Sequence, residues 1–122
     1  MIIAIDFDGT IVTNKFPAIG APIEGAAETI RYLALDGHYI IINTCRSNDD
    51  AIAVVNYLRR EGIPFDAIND NHPAHIKKYG NNCRKIYAHC YVDDKQVGGL
   101  PEWSEIYNYI KQCAAEYRNK NI

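Results

Sequence analysis

The chain has 122 residues, enough for one domain (residues 1–122) with a real hydrophobic core and too few for two. Hydrophobic residues make up 48% and charged residues 23%, which is typical of soluble globular proteins. The net charge of −2 argues against general attraction to nucleic acid or to anionic membranes. The sequence shows no leader pattern and no apolar stretch near the ~20 residues of a membrane span, so we expect a cytoplasmic protein. Its four cysteines form no C-x-x-C pair and are expected to be free thiols.

Hydrophobic periodicity and turn residues predict alternating strands and helices. The predicted elements are, in chain order, strand Ile2–Asp6, a loop or short flap over 13–23, helix Glu24–Leu35, strand His38–Thr44, a helix from Ser47 or Asn48 through Glu61, strand Phe65–Ile68, a polar segment over 69–84 with a helical turn around 73–79, strand Ile86–Val92 and helix Glu102–Tyr117. This order predicts an α/β fold, a Rossmann-like three-layer sandwich whose central sheet is mainly parallel.

Polar side chains gather where the predicted strands end. The residues at or just past these carboxyl ends are Asp6, Asp8, Thr44, Arg46, Asn69, Asp70, Asp93 and Asp94. Ligands of open α/β sheets bind at this edge. We therefore expect four separate segments to contribute polar groups to one crevice.

The first strand carries the most informative residues, Asp6 and Asp8, followed at once by Gly9 and Thr10. Two like charges ~4 Å apart repel by ~4 kcal/mol at an effective dielectric constant near 20. A cation relieves this repulsion, and carboxylate oxygens suit Mg²⁺. The pattern predicts a magnesium site, whereas turn or capping carboxylates are the structural alternative.

In these motifs the chain resembles the haloacid dehalogenase (HAD) superfamily, whose members are mostly Mg²⁺-dependent phosphatases. The D-x-D-G-T motif stands as Asp6-Phe7-Asp8-Gly9-Thr10, the strand-ending Thr as Thr44, and the acidic pair as Asp93-Asp94. The resemblance covers nearly the whole chain. It implies an HAD-like fold without a cap domain, because residues 11–23 and 69–85 leave no room for one.

The resemblance also implies roles for individual residues. Asp6 is the expected nucleophile, which becomes an aspartyl-phosphate, and Asp8 the general acid and base. Thr44 is expected to hydrogen-bond a phosphoryl oxygen. Asp93 is expected to bind Mg²⁺ with the Asp6 carboxylate and the Asp8 main-chain carbonyl, and Asp94 to bind it through water or to orient the site.

The remaining predictions concern residues that contact the substrate. We assign the superfamily's motif lysine to Lys85, with Lys78 and Lys77 as alternatives. Gly9, Thr10 and Arg46 are predicted to bind substrate; for Arg46 a surface ion pair is equally compatible with the sequence, and for Thr44 a local backbone contact.

A capless site predicts either a bulky substrate or a lid supplied by a second subunit of a homo-oligomer. We favour a small phosphorylated metabolite. The alternatives are a nucleic-acid or protein phosphatase of the same superfamily, and a phosphoacceptor or binding module without turnover. A local patch of Lys77, Lys78, Arg84 and Lys85 would suit nucleic acid.

Overall fold

A computed structural model describes residues 1–120 and shows a four-stranded, all-parallel sheet with helices between its strands. The elements are β1 (Ile2–Asp6), α1 (Ala26–Leu35), β2 (Tyr39–Asn43), α2 (Asn48–Arg60), β3 (Ala67–Ile68), α3 (Pro73–Tyr79), β4 (Cys90–Val92) and α4 (Trp103–Lys120). The strand order is β3-β2-β1-β4. The predicted α/β fold with a parallel central sheet is confirmed.

The two faces of the sheet are covered differently. Ile3 and Ile5 of β1 pack in the main core, to which α1, α2 and α4 contribute buried side chains. Ile2 and Ala4 point to the opposite face because successive side chains of a strand alternate. A smaller cluster there is completed by Ile86 and other residues from the segment that leads into β4.

The last strand is shorter than the predicted Ile86–Val92 because side chains take the hydrogen bonds of the preceding backbone. The Tyr87 N–H donates to Asn71 Oδ1 (2.7 Å), and the Ala88 N–H donates to the Tyr91 hydroxyl (3.1 Å). The Ile2 N–H donates to His89 Nδ1 (2.9 Å). Ladder pairing with β1 is therefore confined to Cys90–Val92.

The other predicted elements are present with small changes at their ends. The bounds of α1, β2, α2 and β3 lie within about two residues of the predictions, and α4 runs on to Lys120. Within residues 1–120, no helix has the length and apolar character needed to cross a bilayer. All four cysteines are free thiols.

The sheet order places the functional candidates. β1 lies between β2 and β4, with Asp6 opposite Asn43 and Ile5 opposite Val92. Since parallel strands end at one edge, the residues after β1, β2 and β4 meet there.

Candidate active site

Three carboxylates converge at the carboxyl edge of the sheet. Asp6 ends β1, and Asp93 and Asp94 directly follow β4. One carboxylate oxygen from each lies within 4.8 Å of the others, and all three residues are partly buried. This acidic cluster brings together three of the four residues predicted to hold a metal. The Asp8 side chain is not part of it, and metal binding by the Asp8 main-chain carbonyl stays a prediction.

Gly9 makes room for the acidic cluster. Its φ is +87°, and a Cβ at this position would lie 2.2 Å from Asp94 Oδ2. Any larger residue would therefore both strain the turn and displace Asp94. Position 9 of the D-x-D-G-T motif therefore requires glycine because a side chain there would collide with Asp94, 85 positions further along the chain.

Thr10 links Asp6 to the turn that carries Asp93 and Asp94. Its hydroxyl donates to Asp6 Oδ2 (3.0 Å) and accepts from the Asp94 N–H (3.1 Å), and its side chain is fully buried. The Trp103 indole donates to its carbonyl oxygen (3.1 Å). Thr10 thereby fixes Asp6 relative to the turn after β4.

Gly9 and Thr10, whose contact with substrate stays a prediction, use their own hydrogen-bond donors within the protein. The Gly9 N–H donates to the Val12 carbonyl (2.7 Å), and the Thr10 N–H donates to the Phe7 carbonyl (3.2 Å). With the Thr10 hydroxyl also engaged, neither residue offers a free donor to a substrate. Both shape the turn that presents Asp6.

The electrostatics of the acidic cluster favour a cation. Burial, followed by the hydrogen bond and negative charge of Asp94 and the charge of Asp93, raises the pKa of Asp6 to about 7. Asp94 Oδ1 is buried without a hydrogen-bond partner among the described residues. Buried carboxylate oxygens are normally paired or bound to metal. The residues present therefore fit a hard divalent cation such as Mg²⁺.

Asp8 is engaged differently from its neighbour Asp6. Arg46 Nε donates to Asp8 Oδ2 (2.7 Å) and Arg46 Nη2 donates to Asp8 Oδ1 (2.8 Å), which is a bidentate pair. The Arg46 side chain is 1% exposed and that of Asp8 is 17% exposed. Two aspartates separated by one residue thus have opposite surroundings, one among carboxylates and one against a cation.

Arg46 also anchors the loop over residues 13–23. Its guanidinium donates to the carbonyls of Pro17 and Ala18 (both 2.9 Å) and lies 5.0 Å from the centre of the Phe16 ring. The structure therefore places Arg46 in a buried ion pair with Asp8 and not in the surface pair considered from sequence. Direct contact with substrate stays a prediction, since most of its donors are already used.

Thr44 lies buried at the end of β2 and is positioned by Asn69. Asn69 Oδ1 accepts from the Thr44 N–H (2.8 Å), and Asn69 Nδ2 donates to the Thr44 carbonyl (2.7 Å). The Thr44 hydroxyl accepts from the Arg46 N–H (3.1 Å), which leaves its own proton to donate. From sequence, Asn69 was only one of the polar residues expected in the crevice; in the structure it binds both the N–H and the carbonyl of Thr44.

The structure does not bring Lys85 to the acidic cluster. Lys85 comes before β4 and its Nζ lies 5.8 Å from the centre of the Tyr91 ring, whereas Asp93 and Asp94 follow the carboxyl end of that strand. Lys85 shares a separate pocket with Lys78, the first alternative. Across residues 1–120, the lysine within ion-pair distance of the cluster is Lys95, whose Nζ lies 3.8 Å from Asp94 Oδ2. Sequence reasoning missed Lys95, although it directly follows the acidic pair.

No model of a known protein family matches the sequence, and no curated protein matches it. A solved structure does, that of a conserved protein coded by a locus of Bacteroides thetaiotaomicron. The two are 37% identical, the match covers 92% of this chain and 90% of that chain, and the TM-score is 0.83. This chain belongs to the family of that conserved Bacteroides protein. The similarity to the Bacteroides protein extends over nearly all of both chains, so it establishes a shared fold, and the chemistry must be argued from the residues of the site.

Proposed function

We propose that the protein is a Mg²⁺-dependent phosphomonoesterase of the HAD type that acts through an aspartyl-phosphate at Asp6. The observation that carries the proposal is the acidic cluster with its buried, unpartnered Asp94 oxygen. Such a cluster is costly without a cation and is suited to one. The D-x-D-G-T motif places a second aspartate, Asp8, on the same turn, as a two-carboxylate mechanism requires.

The metal would be held by the carboxylates of Asp6, Asp93 and Asp94, with the Asp8 main-chain carbonyl. When bound, it supplies positive charge that offsets the charge of a phosphoryl group beside the carboxylates. The remaining chemistry belongs to the side chains.

Asp6 is suited to attack phosphorus. The Thr10 hydroxyl donates to Oδ2 of Asp6, and we assign the attack to Oδ1. A new bond forms between this oxygen and phosphorus while the bond from phosphorus to the leaving oxygen breaks. Water then attacks the phosphorus of the aspartyl-phosphate, the bond to Asp6 breaks, and inorganic phosphate leaves.

Asp8 is the proton carrier in this proposal. It gives a proton to the leaving oxygen in the first step and takes one from water in the second. Because Arg46 occupies both of its oxygens, proton transfer requires one of these hydrogen bonds to open. Arg46 thus orients Asp8.

Phosphoryl recognition is assigned to Thr44 and Lys95. Thr44 has a free hydroxyl proton at the carboxyl end of β2. Lys95 is 78% exposed in its side chain and pairs only loosely with Asp94, so its ammonium group is free to swing toward a bound anion. Lys95 replaces Lys85 as our candidate for the charge-balancing lysine.

We propose a small phosphorylated metabolite as the substrate and the cytoplasm as the location. The loop over residues 13–23 is the covering element beside Asp8, and the backbone bridges of Val12 hold its base. A lid this short leaves the site open, unless a second subunit covers it.

The direct test is hydrolysis of an aryl phosphate, with and without Mg²⁺, by the wild type and by Asp6→Asn. We expect turnover that requires Mg²⁺ and that falls by at least about a thousandfold in the variant, because the nucleophile is lost. Asp49→Asn, an exposed aspartate in the first turn of α2, is the matched control and should retain full activity. Equal turnover by wild type and Asp6→Asn would contradict the proposal.

A further inference from the structure

A pocket beside α3 shares no lining residue with the acidic cluster. It has a volume of about 500 Å³ and is formed by α3 and the segment that leads into β4. His72, the residue before α3, contacts the ring of Tyr39 at the start of β2, with ring centres 4.4 Å apart. We call this cavity the α3 pocket.

Aromatic rings form one part of the α3 pocket. The rings of His75 and Tyr87 stack at 4.4 Å between centres with an angle of 20°, and Tyr79 lies next to His75 at 5.7 Å. Tyr79 and Tyr87 are 61% and 44% exposed. Exposed aromatic rings beside a cavity offer a surface on which a flat ring can stack.

Two lysines give the α3 pocket its charge. Lys78 and Lys85 line it, and its lining includes no carboxylate. In the part of the chain that the structure describes, neither lysine lies within 4.0 Å of a carboxylate oxygen. Lys77 and Arg84 are exposed neighbours in sequence that add positive charge. In a protein with a net charge of −2, this is a local concentration of positive charge; within the described residues, the two lysines lie over the Tyr79 and Tyr91 rings and not against carboxylates.

Asn71 keeps the α3 pocket in shape. It is 5% exposed, and its amide donates to Asn82 Oδ1 and to the Cys83 carbonyl (both 2.9 Å) while its oxygen accepts from the Tyr87 N–H (2.7 Å). Asn82 in turn donates to Asp70 (2.9 Å). The loop that carries Lys85 and Tyr87 is thus fixed to the start of α3, so the rings and the cations hold a set relative position.

We propose that the α3 pocket binds a nucleotide, either free or at the end of a single strand. The base stacks on the Tyr87 and Tyr79 rings, and Lys78 and Lys85 contact the phosphate. The volume falls within the range of small-molecule sites. The side-chain NH₂ group of Asn81 lines the pocket and can donate to the edge of a base, while its Oδ1 accepts from the Cys83 thiol (2.7 Å). This site is separate from the proposed catalytic centre and does not depend on it.

The test is isothermal titration calorimetry in EDTA on the Asp6→Asn protein, in which the catalytic centre is disabled. The probes are AMP, adenosine, ribose 5-phosphate and a short oligo-dA strand. We expect AMP to bind more tightly than adenosine or ribose 5-phosphate, since each lacks one of the two recognised groups. If the oligo-dA strand binds more tightly than AMP and its affinity falls steeply with salt, the natural ligand is the end of a single strand. If AMP binds and the strand binds no more tightly, the natural ligand is a free nucleotide.

Variants locate the binding. The Lys78→Ala/Lys85→Ala double variant and Tyr87→Leu should each weaken AMP binding by about tenfold or more. Tyr87→Phe keeps the ring and should bind as the parent does, and Lys111→Ala on α4 is the matched lysine control. The inference is overturned if AMP does not bind, if ribose 5-phosphate binds as tightly as AMP, or if the pocket variants bind as the parent does. Because Mg²⁺ and Asp6 are absent, these outcomes are independent of whether the phosphatase proposal holds.

Discussion

Asp6 and Asp8 should respond in opposite ways to the same isosteric substitution. In the absence of metal, Asp6→Asn removes a negative charge from the acidic cluster and should stabilise the fold. Asp8→Asn removes the partner of the buried Arg46 and should destabilise it. Side-chain size is retained in both variants, and the Thr10 hydroxyl can still donate to an amide oxygen at position 6.

The size of each change in the free energy of unfolding follows from the distances between the charges and from their burial. Two unit charges 4.8 Å apart interact by about 3.5 kcal/mol at an effective dielectric constant near 20. Because Asp6 is only partly buried, solvent and salt screen this repulsion, and we expect a net gain of about 1–2 kcal/mol in Asp6→Asn. Arg46 is 1% exposed, so leaving it without its carboxylate in Asp8→Asn should cost about 3 kcal/mol.

Urea unfolding followed by circular dichroism in EDTA measures both free energies. The gain in Asp6→Asn should depend on pH in a definite direction. The folded-state pKa of Asp6 is about 7, above its ordinary value of 3.8, so the folded metal-free wild type binds more protons between these values. The contribution of Asp6 to the stability of the wild type is fully present below pH 3.8 and is lost as the pH rises through about 7. The gain in unfolding free energy of Asp6→Asn over the wild type should therefore grow with pH and level off above about pH 7.

Magnesium should reverse the order of wild type and Asp6→Asn. Bound metal stabilises the folded wild type by mass action, and the variant has one ligand fewer. If Asp6→Asn instead destabilises the metal-free protein as much as Asp8→Asn does, the acidic cluster is not under electrostatic strain. The reasoning from the cluster to a cation would then fail.

Three further predictions concern single positions. Gly9→Ala should abolish Mg²⁺ binding in calorimetry because the added methyl group would collide with Asp94. Gly37 has a similar φ of +89° but nothing within 4 Å of an added Cβ, so Gly37→Ala should lower only the stability of the fold. Equal Mg²⁺ affinity in the two variants would refute the steric role of Gly9. Lys95→Ala should lower kcat/KM for an aryl phosphate by about tenfold, and Lys111→Ala should leave it unchanged; the lysine assignment fails if both match the wild type. Burial, followed by nearby positive charge, lowers the pKa of His89 below 6.5. The stabilisation that its neutral ring provides is therefore present above pH 6.5 and is lost as the pH falls through the folded-state pKa. His89→Asn, which keeps an acceptor for the Ile2 N–H, should flatten this loss in urea midpoints taken across that range, and an unchanged pH profile would contradict it.

The sheet and most element positions could be predicted because the apolar runs are unambiguous. Ile40, Ile41 and Ile42 are all fully buried, as a strand covered on both faces requires. The start of β4 could not be predicted, since its shortening depends on Asn71 and Tyr91 side chains that take backbone hydrogen bonds. Such competition between side chain and ladder leaves no periodic signal in the sequence.

The acidic cluster could be predicted from strand ends, but the partners of its members could not. The Asp8–Arg46 pair spans 38 positions and depends on how the turns after β1 and β2 face each other. The choice of lysine depends on tertiary structure in the same way. The closeness of Lys85 in sequence to β4 suggested the site, but its ammonium group lies over the Tyr91 ring, while Lys95 follows the strand and lies 3.8 Å from Asp94.

The most direct test of the central claim is to trap the phosphorylated intermediate. The wild type is mixed with an aryl phosphate and Mg²⁺, quenched in acid, and reduced with borohydride, which converts an acyl phosphate to an alcohol that peptide mass spectrometry can locate. We expect the modification at Asp6, dependent on Mg²⁺ and absent from Asp6→Asn. Phosphate release with the modification at another residue, or turnover undiminished in Asp6→Asn, would contradict the account.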